Sequence, residues 1–279
     1  MFKKLFVTVV AFAIFPVTAL ASDIVREASA EHGAAGGVCM GFGPQTPRDI
    51  DSRKGQNKRV FTKAPSYKEM NLCNLHFHVN AEHKAKSYSI HVEGEHGADG
   101  GFQCGISKQL STAEMAPTAT PICKSEHGAL KPGDTIEVHW VHSTCDVKPG
   151  KGLESCSSAS CANPELRVES QVFTLVNDPK ALDFNTLNYD GKMVNGFHQA
   201  SAIPQNTGKP VEFLGSTTGP KWTEQACSPL QVTWSVRPQC AKLNINTVGK
   251  WCEKNVFEEN HAHGVRRLVT SPSLLSNIK

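Results

Sequence analysis

The chain has 279 residues, a formal net charge of +3, 39% hydrophobic and 20% charged residues. So small a charge imbalance argues against a protein that holds nucleic acid through a basic surface. The length is enough to bury a large core in one domain, and no Pro/Ser-rich linker divides it.

The first element is not part of a fold. Residues 1–21 open with Lys3 and Lys4, continue in an apolar run from Leu5, and end in Ala19-Leu20-Ala21. A basic start, a short apolar stretch and small residues at a cleavage position make a secretory signal peptide. A membrane anchor would need roughly 20 uninterrupted apolar residues, and Pro16 interrupts this segment. The mature domain is then 22–279, exported to the periplasm or outside the cell, with no membrane anchor once the signal is removed.

Alternating apolar and polar residues predict strands over 73–79, 87–92, 135–141, 166–176 and 231–236. Each is short, rich in Val, Ile, Phe or Trp, and bounded by Gly, Pro, Asn or Asp. Helical periodicity is confined to about 247–255. The segments 93–101 and 152–164 have loop composition. Glu-His-Gly recurs at 31–33, 95–97 and 126–128, but the likeness does not extend over tens of residues, so it reads as shared turn chemistry. The class is mainly β, a single domain with irregular loops.

Ten cysteines, at 39, 73, 104, 123, 145, 156, 161, 227, 240 and 252, all follow the signal. An even number in an exported chain implies disulfides. A zinc–thiolate cluster is the other reading, but no CxxC occurs. Composition leaves the pairing open.

Within NLHFHVNAEH, His76 and His78 stand two apart in an alternating run, so both project from one face of a strand. Such a pair by itself is more often a hydrogen-bonded core or surface pair than a metal site. In TIEVHWVHST, His139 and Glu137 share a face of a second strand and His142 lies on the other. If the two strands are neighbours, His76, His78 and His139 can converge on one ion and leave a fourth position for water, an arrangement suited to catalytic zinc. Asn74 and Glu137, each two residues before a candidate ligand, can accept a ligand's second N–H; they can equally be strand polarity.

Taken in order, N-L-H-F-H at 74–78, S-E-H-G at 125–128, E-V-H-W-V-H at 137–142, G-S-T-T-G-P at 215–220 and V-T-W at 232–234 resemble the α-class carbonic anhydrases. Cys39 with GPQTPRDI at 43–50 resembles that family's early Q-S-P segment. With the cysteine-rich insertions and the C-terminal NVFEENHAHGVRRLV, the chain looks most like the δ-class carbonic anhydrases, over residues 39–269. The resemblance implies a central, largely antiparallel sheet with short peripheral helices and long disulfide-stabilised loops. It implies one Zn²⁺ held by His76, His78 and His139, with Asn74 and Glu137 orienting the imidazoles; Co²⁺ or Cd²⁺ can occupy the same nitrogens.

Zinc lowers the pKa of a bound water to about 7. The implied reaction is reversible hydration of CO2 to bicarbonate and a proton by zinc-bound hydroxide. The resemblance implies a threonine that accepts a hydrogen bond from that hydroxide and donates to a buried glutamate. Glu126 matches the glutamate, 13 residues before His139. Thr218 matches the threonine without a gap and Thr217 with one; the ungapped match sets Thr217 where the family carries leucine. Val141, Val232 and Trp234 match the apolar wall beside CO2, and are otherwise core strand residues. The proton-shuttle position carries no histidine, which leaves His83, His32, His198 or buffer.

Cys39 and Cys227 match the disulfide that secreted relatives commonly form beside the threonine loop. Nearness in sequence suggests Cys104 with Cys123 and Cys240 with Cys252. The weakest join is the 61-residue interval from His78 to His139, longer than the α-class pattern and filled by the 79–124 insertion. Two other functions compete: a carbonic-anhydrase-like binding or adhesion module without activity, and a zinc hydrolase of small esters. Intact candidate ligands weigh against the first. No HExxH or GxSxG supports the second. The sequence leaves the oligomeric state open, a homo-oligomer included.

Overall fold

The computed structural model describes residues 39–94, 99–125, 128–219 and 221–279. The signal-peptide reading of 1–21, together with His32, Glu126 and His127, lies outside them. Twelve strands are described: β1 (Asn71–Val79), β2 (Tyr88–Glu93), β3 (Asp99–Cys104), β4 (Ile122–Ser125), β5 (Gly128–Leu130), β6 (Thr135–Ser143), β7 (Leu166–Val176), β8 (Met193–Val194), β9 (Phe197–His198), β10 (Val211–Ser216), β11 (Gln231–Val236) and β12 (Ala241–Asn244). Helix α1 (Ile245–Glu253) begins at Asn244, whose side chain accepts the N–H of Asn246, a favoured capping arrangement.

The central sheet runs β1-β6-β7-β11-β10, with β12 also on β7. β1/β6, β6/β7 and β10/β11 are antiparallel, whereas β11 and β12 both run parallel to β7. The sheet, expected to be largely antiparallel, is therefore mixed, with three antiparallel pairings and two parallel ones. β7 is long enough to take β11 along 166–170 and β12 along 173–176 on the same edge. β2/β3, β4/β5 and β8/β9 form separate two-stranded hairpins.

All nine residues of β6 are buried, so both faces of the sheet are covered. Leu75 and Phe77 of β1 and Ile136, Val138 and Trp140 of β6 pack on one side with Phe173, Phe184 and Trp251. Val141, Val168, Val172, Phe213, Val232 and Trp234 pack on the other. That second face also carries Asn74, His76 and His78 of β1 and Glu137 and His139 of β6. Polar groups on a covered face are tolerated only when they are partnered, since an unpaired one costs roughly 1–3 kcal/mol.

β1 does not alternate throughout. Its register against β6 shifts between Leu72 and Asn74. This bulge keeps Leu72 and Leu75 in the first core and turns Cys73 into the second, consistent with the use of bulges to re-aim side chains beside functional sites.

The disulfides are Cys39–Cys227, Cys73–Cys156, Cys104–Cys240, Cys123–Cys252 and Cys145–Cys161. The pairings suggested by nearness in sequence are not formed. Cys104 closes the β2/β3 hairpin and Cys123 lies in the β4/β5 hairpin, so each meets a different part of the chain: the turn before β12, and α1.

Candidate metal centre and its surroundings

The antiparallel register sets His76 of β1 directly against His139 of β6 and His78 against Glu137. The 61-residue gap between His78 and His139 is thus closed by adjacent strands. Each of His76, His78 and His139 offers one ring nitrogen, and these lie within 4.8 Å of one another.

Two of the rings are held from behind by a hydrogen-bond acceptor, and the third faces a carboxylate. Nδ1 of His76 is 2.6 Å from Asn74 Oδ1, and Nδ1 of His78 is 2.8 Å from the Gly264 carbonyl. Nε2 of His139 is 3.2 Å from Glu137 Oε1, an electrostatic contact off the hydrogen-bond direction. That leaves Nε2 of His78 buried without a hydrogen-bond partner among the described residues. Burial, followed by the neighbouring imidazoles, holds His76 well below the usual histidine range, and burial with His263 beside it brings His78 to about 4. Neutral rings are what a metal requires, so these two need lose no proton to bind one at neutral pH. A buried, unpartnered imidazole nitrogen among three convergent rings fits zinc or a similar nitrogen-preferring cation.

A second grouping, His83, Glu137 and His139, is also close enough to hold an ion. The hydrogen bonds argue against it. Glu137 Oε1 takes Ser170 Oγ at 2.5 Å and His83 Nδ1 at 2.9 Å, while Oε2 takes the Glu82 and His83 N–H groups at 2.7 and 3.1 Å. Four donors fill a carboxylate's acceptor positions. Burial alone would push Glu137 up, but His83 and His139 more than offset it and the carboxyl sits well below its usual range. Glu137 is therefore an ionised anchor that holds His83 and faces His139.

Thr217 and Thr218 follow β10. The Thr217 hydroxyl is 3.1 Å from Ser228 Oγ, whereas Thr218 Oγ1 donates to Glu82 Oε2 at 3.1 Å. The other oxygen of Glu82 accepts the Arg266 N–H at 3.1 Å and lies 3.5 Å from His78 Nδ1. The carboxylate that meets Thr218 is thus Glu82, and Glu126, the residue singled out in sequence, lies outside the described residues. Glu82-His83 is itself a Glu-His pair, four and five residues after His78; that dipeptide was the available signal. Arg266 and Gly264 were also missed, because backbone N–H and carbonyl groups leave no trace in residue type.

Val141, Val232 and Trp234 are all buried in the second core. The Trp234 ring lies 5.1 Å from that of His139, edge to face, and its Nε1 donates to the Ser216 carbonyl at 3.0 Å. Gly215 lets this strand approach: an added Cβ would stand 2.3 Å from Thr46 Cγ2 and 2.9 Å from Trp234 Cδ1. Of the histidines considered for proton exchange, His83 is fully buried against Glu137 and Trp234. His198 is turned to Tyr189 Oη at 2.7 Å. His263, not considered in sequence, lies 5.3 Å from His76 between ring centroids, with Nε2 2.6 Å from Glu259. His142 lies on the opposite face, with Nδ1 3.1 Å from the Trp140 carbonyl.

Residues 67–247 match the family model described as delta carbonic anhydrase. No curated protein matches the chain. Among solved structures, similar chains include a hyperthermostable carbonic anhydrase identified from an active hydrothermal vent chimney, at 16% identity over 84% of this chain and 86% of that one, with TM-score 0.32. The Photobacterium profundum α-carbonic anhydrase is similar at 16% identity over 83% and 88%, with TM-score 0.27. The α-carbonic anhydrase from Thermovibrio ammonificans, solved with sulfanilamide, is similar at 14% identity over 81% and 84%, with TM-score 0.28. The match over the whole central sheet, not these distant likenesses, carries the assignment: this chain belongs to the delta carbonic anhydrase family and is a carbonic anhydrase, a lyase acting on CO2 and bicarbonate.

Proposed function

We propose that the chain hydrates CO2 reversibly with one Zn²⁺ held by His76, His78 and His139. The observation that carries this reading is the convergence of three imidazoles, His78 and His139 buried and His76 half-buried, two with a hydrogen-bond acceptor behind the ring and the third facing the Glu137 carboxylate. Zinc in such a site supplies Lewis acidity that ionises water near neutral pH. Asn74, the Gly264 carbonyl and Glu137 aim the rings. Four donors hold Glu137 as an anion beside His139.

Thr218 and Glu82 orient the attacking oxygen. The Thr218 proton is committed to Glu82, so the hydroxyl can only accept from the nucleophile. The nucleophile's donor then points at threonine and its lone pair is turned toward carbon. Glu82 fills the role the resemblance gave to Glu126. Burial raises its pKa and the neighbouring Glu137 carboxylate adds to this, while the Arg266 N–H favours the ionised form. Val141, Val232 and Trp234 supply an apolar wall for CO2, a molecule without net charge. Five disulfides and, among the described residues, no helix long and apolar enough to span a membrane are compatible with an exported protein.

The experiment is stopped-flow CO2 hydration by oxidised protein of measured zinc content, beside His139→Ala. Hydration is expected to rise with zinc occupancy and to vanish in the variant. One zinc per chain without hydration would move the weight to a binding module.

A further inference from the structure

A neutral imidazole can carry its proton on either nitrogen. Only the form with hydrogen on Nδ1 leaves Nε2 free for a metal. At His76 the tautomer is set by Asn74, and Asn74 has two faces. If its Oδ1 meets Nδ1 of His76, the ring is protonated there and Nε2 is open. If its Nδ2 meets the ring, Nδ1 must accept, and the proton moves to Nε2 and blocks it. The far end of the amide makes this choice. Asn74 is 1% exposed, and its Nδ2 donates to the Gly150 carbonyl at 3.2 Å. A carbonyl can only accept, so Nδ2 must face Gly150 and Oδ1 must face His76.

Gly150 belongs to the loop between β6 and β7, far in sequence from β1. It is fastened to the bulge in β1 by the Gly150 N–H, which donates to the Cys73 carbonyl at 3.0 Å, and by the Cys73–Cys156 disulfide, while the Ser155 hydroxyl lies between that carbonyl and the one of Gly152, 2.7 Å from each. Both cysteines are buried, at 0% and 1%. The bulge turns Cys73 toward this loop, which lets one disulfide hold the residue beside Asn74.

We propose that the Gly150 carbonyl, held in place by Cys73–Cys156, fixes the His76 tautomer through Asn74, so that the β6–β7 loop is a positioning element of the metal centre. This rests on the reading of His76 as a zinc ligand, but the tautomer can be read without zinc.

The test combines ¹⁵N imidazole NMR of zinc-free protein with zinc affinity by chelator competition. It compares the parent, Asn74→Ala, the double variant Cys73→Ala/Cys156→Ala, and all three substitutions together. The parent is expected to hold His76 in the Nδ1–H form. Asn74→Ala and the disulfide variant should each show mixed tautomers and bind zinc about 10–100-fold more weakly, the usual cost of removing an orienting partner. The combined variant should be no weaker than Asn74→Ala, because both changes act through one amide. If the disulfide variant does not fold, Ser155→Ala keeps the disulfide and should weaken zinc in the same direction, about threefold to fivefold. An unchanged tautomer and affinity on loosening the loop would overturn the proposal, as would additive losses. A parent with a single Nδ1–H tautomer and no zinc at His76 would instead overturn the zinc reading and leave the positioning intact.

Discussion

At the scale of single residues, Thr218 and Glu82 bear the sharpest test. In the proposed reading their hydrogen bond fixes the direction of a third partner, and removing one preorganised polar contact of this kind costs about 10²–10³-fold in turnover. Thr218→Ala and Glu82→Gln are each expected to lower kcat for CO2 hydration by about 100-fold while zinc content is unchanged. A Glu82→Gln enzyme of full activity would return the role to Glu126. His142 offers a test of stability alone. Burial, only partly countered by the Trp140 carbonyl, lowers its pKa to about 3. Folded protein therefore refuses a proton that the unfolded chain accepts below about 6.5. Stability is complete above that pH and falls as pH drops toward 3, at about 1.4 kcal/mol per pH unit from this residue. In denaturant titrations of zinc-free protein over pH 3–6.5, His142→Gln should reduce the slope by about that amount; an equal slope would refute the assignment.

At the scale of elements, β1 and β6 do most of the positioning and the loops hold what the strands cannot. β10 ends at Ser216, so Thr218 lies in irregular chain. That chain is tethered by the Thr217 N–H to the Leu230 carbonyl and by the Ser228 N–H to Gln45 Oε1. The Cys39–Cys227 disulfide, whose ends are 188 positions apart, closes the same region. Loss of a native disulfide of this kind costs about 2–5 kcal/mol. Replacing both cysteines by alanine should lower the unfolding free energy by that amount, measured by guanidinium titration, and should lower kcat more than zinc affinity. The ligands stand on β1 and β6, which this link does not touch.

At the scale of the whole molecule, the candidate metal centre lies on the sheet face that packs into the second core, and the fold carries the cost of three neutral imidazoles and an ionised carboxylate on a covered face. A cation bound by the folded chain alone returns stability in proportion to its occupancy, about 4 kcal/mol at a free concentration a thousand times Kd. Stripping zinc with a chelator is therefore expected to lower the unfolding midpoint, and adding zinc back should restore it. The same treatment of a His76→Ala/His78→Ala protein should move the midpoint little.

What the sequence determined by itself was local. Period-two alternation set the strands at 166–176 and 231–236, and it put His76 and His78 on one face, because side-chain direction along a strand is fixed by the backbone. An even cysteine count after the apolar N-terminal stretch announced disulfides, and five are present. Motif order led to the carbonic anhydrases. Only the tertiary structure decided the rest. That His139 faces His76 depends on the β1/β6 register. That Glu82, and not a residue chosen by its distance from His139, meets Thr218 depends on how the chain turns after β1. Cys104 and Cys123 pair across the molecule, not with each other, for the same reason. Joining distant segments costs little more entropy than joining near ones, since closure grows only with the logarithm of length. Spacing along the chain therefore carries little information about which distant groups meet, and packing of the sheet supplies it.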